Sequence, residues 1–192
     1  MLSMPKQTYF RLNKDKKNKI YEVLVRIFQE KAIKDVTVKE IVATLNIPRG
    51  SFYQYFDSIH EAYFYVLEQE LIEIHESFLH LLKESDENIM QALEKFGEVV
   101  AREIYTEKNY KLYRNRYLGF DAALERQWKL YRKKNTKYAQ EILSVKESEK
   151  ITFIGALLHS LVQRLFSESW DKETFLTHYE LYIHWIKRGI EK

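Results

Sequence analysis

The chain has 192 residues, of which 45% are hydrophobic and 31% charged, with five glycines, two prolines and no cysteine. This composition is typical of a helix-rich protein with few loops, and the lack of cysteine excludes disulfides and thiolate chemistry. No stretch approaches the ~18 apolar residues that a membrane helix needs, and the N-terminus has no signal-peptide pattern. We therefore expect an all-α protein of the cytoplasm.

The formal net charge is +3, but the charged residues are unevenly distributed. Residues 1–60 contain eleven lysines and arginines against six acidic residues, whereas the remaining 132 residues contain twenty against twenty-two. The positive N-terminal third favours a surface that faces phosphate, with a merely solvated lysine-rich end as the alternative.

Residues 1–12 predict a short arm that its aromatic side chains anchor, and Asn13 is placed to cap the helix that follows. That helix should run from Lys14 to about Lys31, because its apolar residues recur with helical spacing. Four lysines cluster at its start, where positive charge opposes the helix dipole, so either solvent or an external phosphate must face them. They are Lys14, Lys16, Lys17 and Lys19.

The segment from Thr37 to Phe56 predicts two short helices joined by a tight turn. The first helix has an apolar stripe at helical spacing, formed by Val38, Ile41, Val42 and Leu45. Thr37 is placed to cap this helix, Asn46 suits the left-handed position after it, and Pro48 prevents it from continuing. A second helix should begin near Arg49, with Phe52 and Phe56 as its inward residues. The residues left largely on its outer side are Arg49, Ser51, Tyr53, Gln54 and Tyr55. Short helix, tight turn and second helix form the helix-turn-helix pattern.

Beyond Phe56, a long helix from Ile59 to about Lys83 is expected to connect two domains, 1–58 and 59–192. Further helices are predicted over 88–105, 110–118, 121–143, 146–167 and 172–188. The last two are the most apolar, and their broad faces suit either the core of the domain or half of a four-helix interface between two chains. DNA binding by a dimer would favour the interface, with residues Ile154, Leu158, Leu161, Leu165, Tyr179, Tyr182, Ile183 and Ile186.

Catalytic and metal-binding patterns are missing from the sequence. The pairs His60-Glu61 and His75-Glu76 begin a metalloprotease motif, but neither is followed by the second histidine that the motif needs. The five glycines are scattered, so they form neither a phosphate loop nor a nucleophile elbow. We therefore predict a protein that is not an enzyme and that has neither a metal nor a cofactor.

The run from Lys6 to Phe56, with its segments T-V-K-E-I-V and G-S-F-Y-Q-Y-F, resembles the N-terminal domain of the TetR family of transcriptional regulators. The resemblance covers about residues 6–70, whereas the remainder matches in length and helical character alone. It implies a three-helix DNA-binding domain followed by a helical ligand-binding and dimerisation domain. It also implies a homodimer whose two recognition helices enter successive major grooves of a double-stranded DNA operator.

When the family's DNA contacts are carried over by position, the resemblance implies that Thr37 and Tyr55 contact phosphates. It also implies that Gly50 permits the backbone to approach DNA closely. The residues that would face the groove are Arg49, Ser51, Tyr53 and Gln54, and Lys14 and Lys17 would add phosphate contacts. One position departs from the family pattern, because Ile59 stands where many members have a lysine. That substitution puts one phosphate contact in doubt.

The resemblance further implies a repressor that a small-molecule effector releases from its operator. The aromatic residues of the C-terminal part suit an apolar or aromatic effector, although ordinary helix packing is the alternative for each of them. The candidate pocket residues are Tyr105, Tyr113, Tyr117, Phe120, Trp128 and His159. Alternative functions are an activator, a regulator controlled by a protein partner, or a helical ligand carrier or enzyme whose helix-turn-helix is a relic.

Overall fold

A computed structural model describes residues 5–135 and 148–190, which are helical and contain no strand. The predicted all-α class is confirmed. The described helices are α1 (Gln7–Phe10), α2 (Lys14–Glu30), a 3-10 turn (Ile33–Asp35), α3 (Val38–Leu45), α4 (Arg49–Tyr55), α5 (Ile59–Glu84), α6 (Ile89–Ile104), α7 (Glu107–Gly119), α8 (Ala122–Asn135), α9 (Ser148–Ser167) and α10 (Lys172–Ile190). The predicted helix end at 143 and the predicted start at 146 lie outside the described residues.

The helix ends in the first 60 residues follow from local side-chain chemistry. Asn13 Oδ1 accepts a hydrogen bond from Lys16 N at 2.9 Å and caps α2. Thr37 Oγ1 accepts one from Glu40 N at 3.2 Å and caps α3. Asn46 adopts the left-handed conformation, with φ 53° and ψ 50°, and ends α3. These three predictions are confirmed.

The described residues pack as two compact units, one drawn from residues 1–70 and 111–137 and the other from residues 71–110 and 138–192. Helices α5 and α7 therefore each contribute residues to both units. These units are defined by packing, and the functional domains 1–58 and 59–192 stay a prediction.

The core of the first unit is built on α2, α3 and α4. Apolar residues spaced along these three helices and at the end of α4 are buried: Ile20, Leu24, Phe28, Ile41, Leu45, Phe52 and Phe56. Helix α7 is tied to α2 because Asn115 Nδ2 donates hydrogen bonds to the carbonyls of Phe28 and Gln29, each at 3.0 Å. These carbonyls belong to the last turn of α2, which lacks intrahelical partners for them.

The core of the second unit lies where α10 packs on α6 and α9. The Tyr179 hydroxyl donates a hydrogen bond to the Leu93 carbonyl at 2.8 Å. Burial raises the pKa of Tyr179 far above its usual range, so this phenol stays protonated and remains a donor. Tyr179 is thus fixed on α6 within a single chain.

The burial of these helices corrects part of the predicted dimer interface. Six of its eight residues are buried inside one chain, because they lie on the sides of α9 and α10 that pack into the unit: Ile154, Leu161, Leu165, Tyr179, Ile183 and Ile186. Leu158 and Tyr182 are half-buried. The core alternative, which the sequence left open, therefore describes most of this set. Among the side chains whose burial is described, the large exposed apolar ones of α9 and α10 are instead Phe153, Leu181 and Trp185, with 56%, 41% and 56% of their surfaces exposed.

Candidate nucleic-acid interface

Helices α3 and α4 are joined by a short turn that local backbone hydrogen bonds hold in place. Ile47 N donates to the Val42 carbonyl at 3.0 Å, and Ser51 N donates to the Pro48 carbonyl at 2.9 Å. Pro48 stands before α4 with φ −60° and ψ 145°, and it offers no side-chain cap. The chain therefore leaves α3 and enters α4 within three residues, as a helix-turn-helix requires.

Two buried aromatic residues hold α4 against the core. Phe52 and Phe56 are each 1% exposed, and their ring centroids lie 5.6 Å apart. Because these two side chains point inward, the exposed residues of α4 form an outer face. This geometry orients α4 through packing and leaves its polar side chains available.

The outer face of α4 carries most of the residues predicted to meet DNA. Arg49, Gly50, Tyr53 and Gln54 are exposed, and Ser51 is half-buried. A Cβ atom built at Gly50 would meet nothing within 4 Å, so packing within the chain does not require glycine there. Arg49 forms no ion pair with any residue in the described ranges. Their roles toward bases and phosphates stay predictions.

Tyr55 does not share that outer face. It is 5% exposed, and its ring centroid lies 6.3 Å from that of Tyr9 in α1. Burial, with Tyr65 beside it, raises the pKa of Tyr9 far above its usual range, so Tyr9 is a neutral anchor. The outward placement predicted for Tyr55 is therefore corrected, because the N-terminal segment covers this residue.

The basic residues near α4 differ in how they are held. Lys14 is exposed and Lys17 is half-buried at the start of α2, and neither forms an ion pair with the described part of the chain. Lys31 instead binds Glu40 at 2.6 Å, and this hydrogen bond raises the pKa of Lys31. Lys14 and Lys17 thus remain available to phosphate, whereas Lys31 ties the end of α2 to α3. Ile59, which replaces the family lysine, is half-buried.

Two residues of the N-terminal segment were missed by the sequence interpretation. Lys6 Nζ donates to the Tyr53 carbonyl at 2.7 Å, and Thr8 Oγ1 donates to the Gln54 carbonyl. Both contacts join residues more than 45 positions apart in sequence. No periodicity or spacing signal marks such a contact.

The residues predicted for the effector pocket are not brought together within either unit. Tyr113, Tyr117, Phe120 and Trp128 belong to the first unit, whereas Tyr105 and His159 belong to the second. Tyr113 donates to the Glu70 carbonyl at 3.0 Å, and Tyr105 donates to the Trp170 carbonyl at 2.7 Å. The helix-packing alternative accounts for these contacts, and an effector role for the six residues stays a prediction.

The second unit has an open groove of about 990 Å³ on α6 and α10. It is lined by Glu94, Tyr179, Glu180, Ile183, His184, Lys187 and Arg188, none of which was predicted for the effector pocket. Lys187 and Glu94 form an ion pair of 2.9 Å in this lining. The groove thus combines ionisable side chains with Tyr179 and Ile183, rather than the aromatic residues that were predicted.

Two absences bear on the class of site. Within residues 5–135 and 148–190, no group of three histidine or acidic residues is placed to hold a metal ion. None of the helices described is both long enough and apolar enough to cross a membrane.

The family model described as "Bacterial regulatory proteins, tetR family" matches residues 20–61. The model described as "Tetracyclin repressor, C-terminal domain" matches residues 89–189. Among solved structures, a TetR family transcriptional regulator from Chloroflexus aurantiacus J-10-FL has a TM-score of 0.52 at 17% identity, covering 97% of this chain and 98% of that one. At this identity the likeness concerns the fold alone. No curated protein matches the chain.

Proposed function

Because the chain belongs to the TetR family of DNA-binding transcriptional regulators, we propose that it is a homodimeric repressor that leaves its operator when a small molecule binds. The observation that carries this proposal is the outer face of α4, where Arg49 and Gln54 are exposed above the buried Phe52 and Phe56. Arginine pairs with guanine in bidentate fashion, and glutamine does so with adenine. A rigid base beneath two such residues suits readout of the major groove.

Dimerisation is proposed to use the outward sides of α9 and α10. Phe153, Leu181 and Trp185 are exposed there, and Leu181 and Trp185 are four residues apart on one side of α10. Large apolar side chains on a helix surface are the expected core of an interface between chains. The partner helices of a second copy would cover them, and the two α4 helices would then reach successive major grooves.

Effector control is proposed to act through α5. This helix is continuous from Ile59 to Glu84, and residues 59–70 belong to the unit that contains α4. The dimer would have two forms, one of which binds the operator poorly. An effector that binds this form more tightly than the other would shift the population toward it. The groove on α6 and α10 supports an effector with polar groups, because Glu94, Lys187 and Arg188 line it.

The test is binding to a labelled duplex from the DNA upstream of the chain's own coding sequence, measured by fluorescence anisotropy over a salt series. We expect Arg49→Ala to cost about 1–3 kcal/mol of specific binding, whereas Lys14→Gln and Lys17→Gln should each reduce the log–log salt slope by about 0.9. Arg126→Ala is the matched control, because Arg126 is an exposed arginine that belongs to α8 and not to the α3–α4 segment. A duplex that shows no salt-sensitive, sequence-specific complex contradicts the proposal.

Repressor action needs a separate readout. A reporter gene placed behind the bound sequence should be transcribed less when the chain is expressed, and Arg49→Ala should restore transcription. Increased transcription from the same reporter would instead identify an activator.

A further inference from the structure

We propose that the segment 6–10 is a cap that holds the C-terminal end of the recognition helix α4, with Lys6 and Thr8 as positioning residues for DNA binding. This inference rests on the proposed role of α4 in operator recognition. On this inference the N-terminal segment acts by binding the backbone carbonyls of α4, and it need not contact DNA.

The first observation is the pairing of the last carbonyls of α4. A helix leaves its last four carbonyls without intrahelical partners, and α4 has seven residues, so these groups are a large share of its backbone. Lys6 Nζ donates to the Tyr53 carbonyl at 2.7 Å, and Lys6 N donates to the Tyr55 carbonyl at 2.9 Å. Thr8 Oγ1 donates to the Gln54 carbonyl between them. Three successive carbonyls are thus satisfied by two residues of one segment.

The second observation is that α4 needs such support. Isolated helices shorter than about 12 residues are marginal in water, and Pro48 provides no side-chain cap at the other end. Phe56 N bonds to the Phe52 carbonyl, but no further turn follows, because Phe56 is extended with φ −133°. The orientation of Tyr53 and Gln54 toward DNA therefore depends on contacts from outside the helix.

The third observation is the anchor of the segment itself. Tyr9 is 0% exposed, and its ring centroid lies 5.2 Å from that of Phe56 and 5.4 Å from that of Tyr65. This packing joins the segment to both α4 and α5. Lys6 Nζ also pairs with Asp57 at 2.7 Å, in a half-exposed ion pair that solvent screens. The hydrogen bonds and the buried ring therefore carry the attachment.

The competing explanation is a basic arm that merely attracts phosphate. The two explanations differ for Thr8, which has no charge, and for Arg11, which is exposed and whose side chain forms no hydrogen bond or ion pair with α4 among the described residues. A cap requires the Thr8 hydroxyl and is indifferent to the Arg11 charge. A phosphate-attracting arm requires the Arg11 charge and is indifferent to the Thr8 hydroxyl.

The experiment compares Thr8→Val, Thr8→Ser and Arg11→Gln in the full chain, by anisotropy on specific and scrambled duplexes and by amide hydrogen exchange. We expect Thr8→Val to weaken specific binding about threefold to tenfold, with an unchanged salt slope and scrambled-duplex affinity. In the same variant, amide hydrogen exchange should become faster in residues 52–56 and stay unchanged elsewhere. Thr8→Ser should retain wild-type behaviour, because it keeps the hydroxyl, and Arg11→Gln should leave exchange in α4 unchanged.

The proposal is overturned if Thr8→Val leaves both specific binding and α4 exchange unchanged, or if Arg11→Gln weakens binding as much as Thr8→Val with a reduced salt slope. Exchange is measured without DNA, so it decides the capping role even if the wild-type chain binds no duplex. A wild-type chain that binds no duplex would count against the proposed function and not against the cap.

Discussion

Gly97 on α6 and Tyr179 on α10 approach so closely that a Cβ atom at position 97 would lie 2.6 Å from Cδ1 of Tyr179. The ring of Tyr179 therefore lies directly against the backbone of α6, and its hydroxyl reaches the Leu93 carbonyl one turn earlier, at 2.8 Å. The close approach explains why a glycine is placed in the middle of a helix, where it costs stability relative to alanine.

The substitution Gly97→Ala should destabilise the second unit. The added methyl group has no space beside Tyr179, so the ring must move and strain its hydrogen bond, at a cost of about 1–3 kcal/mol. Urea denaturation followed by circular dichroism measures the change. Gly155→Ala is the control, since a Cβ at Gly155 on α9 would meet nothing within 4 Å and should be neutral or stabilising. Equal effects of the two substitutions would refute the packing explanation.

Asn115→Leu should weaken the attachment of α7 to α2. The change removes the two hydrogen bonds that Asn115 donates to the carbonyls of Phe28 and Gln29, so we expect a loss of about 1–3 kcal/mol in the free energy of unfolding. Thermal and urea denaturation of the full chain measure this loss. Asn18→Leu, at an exposed position of α2, provides the matched control. A stability equal to that of wild type would show that water replaces the amide without cost.

Trp185→Glu should convert the proposed dimer to monomer. A carboxylate in place of a 56% exposed indole would put two unpaired charges into the proposed interface, one from each chain. Sedimentation velocity measures the oligomeric state, and operator affinity should fall with it. Leu130→Glu changes an apolar side chain of similar fractional exposure on α8, where 61% of the leucine is exposed, and should leave the proposed dimer intact. A dimer that survives Trp185→Glu would place the interface elsewhere.

Glu168 should make the second unit sensitive to acid. Arg164 Nε binds its carboxylate at 2.9 Å, and this hydrogen bond lowers the pKa of Glu168 below its usual range. A carboxyl group with a lowered pKa contributes stability above its unfolded pKa and loses it as the pH falls through the folded value. The difference in Tm between wild type and Glu168→Gln should therefore shrink on going from pH 7 to pH 3. A difference that stays constant over this range would exclude the ion pair as a source of stability.

Local chemistry made much of the DNA-binding segment predictable from sequence. The caps at Asn13 and Thr37, the left-handed Asn46 and the buried Phe52 all depend on residues within a few positions of one another. The apolar spacing of α9 and α10 likewise identified the inward side of each helix. It could not tell whether that side packs within the chain or against a second copy, because both environments select the same residues.

The sequence by itself determined the all-helical class, the helix-turn-helix and most of the inward residues of α3, α9 and α10, because periodicity and capping act over one or two turns. The tertiary structure alone decided that Tyr55 is covered, that Tyr179 belongs to the core, and that Lys6 and Thr8 hold the end of α4. These outcomes depend on contacts between residues 46 to 86 positions apart. Such contacts arise from how whole helices pack, which no short pattern of residues encodes.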